Sequence, residues 1–146
     1  MTNKTKISSY RKEVIERAIN IEMLVNAIIS QKYFGRVVLP FVREVLLELP
    51  FFKKIEILQK FGIDGEVINK LHDIRGIRNI FAHRNLSYHL KTDENWKVVS
   101  LGKKENKDLA ENDFERNYQK FVQLAPEVEA ELFIIYDKMG GEWRRE

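Results

Sequence analysis

"LHDIRGIRNIFAHR", residues 71 to 84, is the stretch from which the fold is read. At about 100° of rotation per residue, Ile74, Ile77 and Phe81 fall on one side of a helix with Leu71 at the edge, which makes a buried stripe. The opposite side carries His72, Arg75, Gly76, Asn79 and His83, whose spacings of three, four and seven return to one face within roughly 100°. Arg78 belongs to neither side. It lies between Ile74 and Leu71, at the margin of the stripe. There its stem can cover core surface while its permanently charged head reaches water or a carboxylate on a neighbouring helix. His83 sits near the C-terminal end, where the exposed carbonyls favour a cation, so a capping role is open to it as well.

Working outward, Asp64 or Gly65 starts this helix, which runs to about Arg84. Before it, Pro40 and Pro50 suit the opening turns of two shorter helices, "PFVREVLLEL" and "PFFKKIEILQKF", the second closed by Gly62. The first long helix is expected from Ser9 to about Phe34. Val14, Ala18, Ile21, Val25 and Ile28 recur three or four apart along it with Ile15, Ile19 and Ile29 widening the stripe, Ser8 or Ser9 can cap its start, and Gly35 can end it. After residue 86 the helical rhythm breaks. "SYHL" and "WKVVSL" flank the polar "KTDEN" as a small β-hairpin, and "GKKENKD" reads as a loop. Asn112 with Glu115 three residues on resembles a capping box. Phe114, Tyr118, Phe121, Leu124 and Val128 then trace a last helix to Met139, bent at Pro126 and stopped by Gly140 and Gly141, with a frayed tail beyond.

Long helices joined by short connections make the chain an all-α protein, an antiparallel helical bundle with a small β-hairpin inserted before the last long helix. A single domain is expected over residues 1–146, with its core over about 9–139. At 146 residues and 44% hydrophobic content it can bury about two-thirds of the surface its unfolded chain exposes.

Composition removes several function classes. The longest apolar runs, such as "VVLPFV" and "LFIIY", fall far short of the roughly 18 residues of a membrane span, and the N-terminal residues lack the apolar segment of a signal peptide. The expectation is a soluble cytoplasmic protein with no membrane partner. With no cysteine, disulfides, thiolate zinc sites and cysteine nucleophiles are out. His72 and His83 share a face, but a spacing of eleven places them about 16 Å apart along the axis, too far for joint ligation, so no metal and no cofactor is expected. Glycine-rich phosphate loops and nucleophile elbows are absent. The net charge of +3, from 25 basic and 22 acidic residues, only slightly favours an anionic partner.

Chemistry remains for the pair on the central helix. Cleaving RNA without a metal takes a base near the 2′-hydroxyl or an acid at the leaving oxygen, and a fixed cation for the charge that develops at phosphorus. A histidine such as His83 can serve either proton role, and the planar fork of Arg78 suits phosphate oxygens. Asn79 can orient the imidazole or donate to phosphate, and Arg75, Arg84 and His72 can extend the strip as substrate-binding residues. Because positions 78 and 83 differ by about 140° around the axis, the arginine must curl toward the histidine or a second surface must complete the site. A symmetric dimer that packs this helix on its copy supplies such a surface.

"IRNIFAH", residues 77–83, resembles the motif of the HEPN superfamily (higher eukaryotes and prokaryotes nucleotide-binding), in which an Arg followed by a polar residue precedes a His by four to six intervening positions. Arg78, Asn79 and His83 fit it with four between. The order "FFKKIEILQKFGI" then "LHDIRGIRNIFAH" looks like the mannitol operon repressor group within it. The resemblance implies a helical homodimer whose two motifs meet in a cleft, and in active members metal-independent RNA cleavage that leaves a 2′,3′-cyclic phosphate, used in toxins or defence. It assigns proton transfer to His83, phosphate clamping to Arg78 and orientation to Asn79. Toxins of the superfamily often carry a Tyr two residues after the His and an antitoxin that modifies it. This chain has Asn85 there, so the likeness does not extend to that regulation. Other relatives are regulatory or interaction modules without activity, with a regulatory protein as partner, and that alternative stays open.

Overall fold

The apolar stripes become three long helices. The computed structural model of the protein describes residues 3–83, 87–91, 96–100 and 111–143, with side chains over 5–83 and 112–143. In chain order these are α1 (Asn3–Phe34), α2 (Leu39–Glu44), a 3-10 turn (Leu46–Glu48), α3 (Phe51–Lys60), α4 (Gly65–His83), β1 (Ser87–Lys91), β2 (Trp96–Ser100) and α5 (Glu111–Lys138). The strands pair antiparallel, with Ser87 opposite Ser100 and Lys91 opposite Trp96, which is the expected hairpin. The "GKKENKD" loop, Asn85 and the hairpin side chains lie outside the described residues.

Val14, Ala18, Ile21, Val25 and Ile28 of α1 are all buried, and so are Leu71, Ile74, Ile77 and Phe81 of α4. Phe114, Phe121 and Val128 of α5 close the same core, with Phe81 meeting Phe114 edge-on at 5.5 Å. The pairings fix the helix directions. Tyr10 stacks on Tyr118 at one end of α1, and at the other Gln31 donates to the Met139 carbonyl, so α1 and α5 run parallel. Phe81 lies against Phe114 while Lys70 reaches Glu131, so α4 runs antiparallel to α5, and hence to α1. α3 packs on both α1 and α4. Gly35 (φ 68°) and Gly62 (φ 81°) take the left-handed backbone that stops α1 and α3, as expected. Asp64 caps α4 through its Oδ1, which accepts from the Glu66 N–H at 2.8 Å.

Three features differ from the sequence reading. α1 begins at Asn3, leaving Ser8 and Ser9 inside it on the exposed side, because Ile7, two turns before Val14, extends the buried stripe. "PFVREVLLEL" is two elements: α2 ends at Glu44, and the backbone turns at Val45 (φ −114°) into the 3-10 turn. Glu115 does not return to Asn112 but takes hydrogen bonds from Tyr10 (2.7 Å) and Gln119 (3.2 Å) and an ion pair from Lys6. As expected, α5 continues past Pro126, which sits on its exposed face and deprives only the Val122 carbonyl of an N–H partner.

Candidate functional site

The residues singled out on α4 separate into two groups around the helix. Arg78 points to the α1 side, where its Nη1 lies 3.5 Å from Glu22 Oε1. The other oxygen of Glu22 accepts from Lys54 Nζ at 2.6 Å. Lys54 comes from α3 and has no exposed side-chain surface, whereas Glu22 keeps 19% and Arg78 34%. Three helices thus meet at one carboxylate flanked by two cations, a set whose net charge is +1. One carboxylate balances only one of the two cations, and Lys54 is enclosed, so the surplus positive charge of the set is presented at the surface through Arg78. Arg78 is held in place by a longer contact and keeps uncompensated charge at the surface.

Arg75, one turn before Arg78, lays its guanidinium over the Phe52 ring of α3 at 5.4 Å. It is thereby oriented toward the same α1/α3 side. Asn79 is half-buried beside these two arginines. His83 is the last residue of α4 and exposed, and His72 is exposed three turns earlier. Neither histidine has a hydrogen bond or ion pair among the described residues. Arg84 lies outside the described residues. Within one chain the structure therefore joins Arg78 to Glu22 and, through that carboxylate, to Lys54, and Arg75 to Phe52, while among the described residues Asn79 and His83 are joined to no second chemical group.

The end of α4 is nevertheless fixed. Arg11 of α1 donates from Nε to the Phe81 carbonyl at 2.6 Å, satisfying one of the acceptors a helix C-terminus leaves open and anchoring the turn that carries His83. Beyond it, the stacked Tyr10 and Tyr118 each donate to a carboxylate, Glu115 and Glu13. The bond to Glu13 holds the Tyr118 hydroxyl protonated, raising its pKa to about 12. Hydrogen bonds from Tyr10 and Lys6 hold the Glu115 carboxyl below its ordinary range. This cluster ties α1 to α5 and leaves its groups satisfied by one another.

Gly76 is the other feature of the exposed face. It lies inside α4, between His72 and Asn79, and a Cβ placed on it would meet nothing within 4 Å. Nothing inside the chain requires glycine there, although it costs the helix about 1 kcal/mol relative to alanine. Among the described residues no group of three or more His, Asp or Glu side chains could hold a metal ion, and no helix is long and apolar enough to cross a membrane.

Two residues of this arrangement escaped the sequence reading. Lys54 carries the signal in its register, since it shares the buried stripe of α3 with Phe51, Ile55 and Leu58. A lysine in that place implies a buried carboxylate partner. Glu22 carries none, because it looks like any glutamate on the polar side of α1.

Comparison of the chain with protein-family models, curated proteins and solved structures finds no match.

Proposed function

We propose that the chain is a metal-independent endoribonuclease of the HEPN type, acting as a homodimer with α4 at the centre of the site. The observation that carries this reading is the Lys54–Glu22–Arg78 set. Lys54 occupies the carboxylate, so Glu22 orients Arg78 without cancelling it, and a fixed surplus cation is what a phosphate clamp needs. His83, on the anchored last turn of the same helix, supplies proton transfer at the 2′-hydroxyl or the leaving oxygen. Arg75 and Asn79 line the approach. The angular separation of Arg78 and His83 on one helix makes a second copy the natural source of the completing surface, and the empty space over Gly76 gives that copy room to come close.

A second reading is favoured by the same contact seen differently. Arg78 is already in an ion pair, and the chain is then a regulatory or interaction module in which α4 only joins two copies. His83→Ala separates the two. Under the nuclease reading the variant keeps its fold and its dimer and no longer cuts single-stranded RNA, while chelators leave the unsubstituted protein's cutting unchanged. Under the second reading both proteins leave RNA intact and the variant dimer dissociates more readily in sedimentation. Undiminished cleavage by His83→Ala removes the nuclease assignment.

A further inference from the structure

Beside the Lys54–Glu22–Arg78 set, an aromatic ring stands in water at the head of α3. Phe51 is buried there, whereas Phe52 is 37% exposed, and the Arg75 guanidinium lies over its ring at 5.4 Å. Lys53 Nζ approaches the same ring at 5.5 Å, but its charge is met by Glu56 at 3.4 Å. Arg75 has no such partner. It is half-buried and makes no hydrogen bond or ion pair among the described residues. Glu22 is shared between Lys54 and Arg78, and Asp73, two residues before Arg75 on α4, pairs instead with Lys120 of α5. The pair therefore offers water a flat apolar ring and a guanidinium whose donors are unused.

Unpaired nucleobases use that combination. They stack on aromatic faces and on guanidinium planes, while side-chain donors reach their edges or the neighbouring phosphate. Arg75 and Arg78 are three residues apart on α4, about 5–6 Å between Cβ atoms, so a group seated on the first adjoins a phosphate held by the second. We infer that Phe52 and Arg75 form a stacking platform for an unpaired base next to the phosphate at Arg78. The platform selects single strands over duplexes, whose bases are already stacked on one another. It rests on the reading of Arg78 as a phosphate clamp, and not on cleavage itself.

The test measures binding by the full chain with strands that cannot be cut. Fluorescence anisotropy compares a labelled oligothymidylate of about ten nucleotides, which lacks the attacking 2′-hydroxyl, with an abasic deoxyribose strand of equal length and charge. The base-bearing strand should bind at least about tenfold more tightly. Phe52→Leu, with an unchanged thermal melt, should remove most of that advantage and leave the abasic strand's affinity within about twofold, whereas Phe52→Trp should retain the advantage. Arg78→Met should weaken both strands alike, as the loss of a phosphate contact does. Equal binding of the two strands, no binding of either, or a Phe52→Leu loss shared equally by both overturns the inference. So does a Phe52→Leu dimer that dissociates in sedimentation with its base preference intact, which makes the ring part of an interface. Base-dependent binding by a protein that leaves ordinary RNA intact sustains the platform and removes the nuclease reading, and cutting without base dependence does the reverse.

Discussion

Replacing Glu22 with glutamine removes the one carboxylate shared by Lys54 and Arg78, and the structure sets the size of the response. Lys54 has no exposed side-chain surface and loses its 2.6 Å partner. Stranding a buried charge in this way costs about 3–5 kcal/mol. Glu22 keeps 19% of its side chain in water, which places the expected loss at the lower end, about 3 kcal/mol. Unfolding entropy of about 2.1 cal/mol/K per residue gives about 0.3 kcal/mol/K for the chain, so Tm should fall by about 10 °C in calorimetry. Two companion variants make the reasoning refutable. Lys54→Met removes the buried charge while keeping the stem and leaves Glu22 with Arg78, so its stability should change by less than about 1.5 kcal/mol. Arg78→Met breaks only a 3.5 Å contact from a guanidinium one-third exposed and should cost about 1 kcal/mol or less. A Glu22→Gln loss below about 1 kcal/mol, or a Lys54→Met loss as large as that of Glu22→Gln, contradicts the account. Lys54→Met has a functional arm too. With Lys54 gone, Glu22 neutralises Arg78, so RNA affinity and cutting should fall while the melt is retained.

Gly76→Ala should raise the stability of the single chain by about 1 kcal/mol, read by urea melts at a concentration where the protein is monomeric, and should weaken dimerisation in sedimentation. A stabler chain with unaltered dimer affinity and cleavage would show that nothing approaches α4 at that point. Ultraviolet titration should find Tyr118 ionising at about pH 12, and Glu13→Ala should bring it back toward 10. The sign follows from the raised pKa: Tyr118 contributes stability fully below about pH 10, where the unfolded phenol is still protonated, and that contribution is lost as pH rises through about 12. Asn26 is fully buried, with its Oδ1 unpartnered and its amide nitrogen 3.6 Å from the Met23 sulfur. Asn26→Leu, similar in shape and without the orphaned acceptor, should gain about 1–2 kcal/mol in chemical denaturation, and a loss would mean that the oxygen has a partner in solution.

The core was legible because its signal is additive. The central residues of the expected stripes, Val14 to Ile28 and Leu71 to Phe81, are buried, since each position repeats the same statement about its face. Of the residues expected to widen the α1 stripe, Ile29 is buried, Ile15 half-buried and Ile19 48% exposed, because it lies at the stripe's outer edge. Boundaries were less legible because they are decided by tertiary partners. Ser8 and Ser9 have good capping chemistry, but Ile7, immediately before them, is buried in the core and the helix extends back past it to Asn3. Glu115 could serve a capping box, but Tyr10 and Lys6 of α1 lie within its reach and take it. At the site, the wheel placed Arg78 at the edge of the stripe with a carboxylate from a neighbouring helix as one destination for its head, and Glu22 is that carboxylate. Which carboxylate, and that a buried lysine would share it, depends on the packing of α1 against α3, about which no local pattern speaks. Under the proposed reading the meeting of Arg78 with His83 would take a second copy, which is beyond the reach of helix periodicity in one chain.

The most direct test of the nuclease reading is to incubate the purified protein with total RNA in the presence of a chelator and determine the ends of the fragments. The proposed chemistry, attack by the 2′-hydroxyl with Arg78 on the phosphate and His83 moving the proton, leaves 2′,3′-cyclic phosphates on one side of each cut and 5′-hydroxyls on the other. RNA that stays intact over long incubation, cutting that stops when metal is removed, or fragments ending in 5′-phosphates would contradict it.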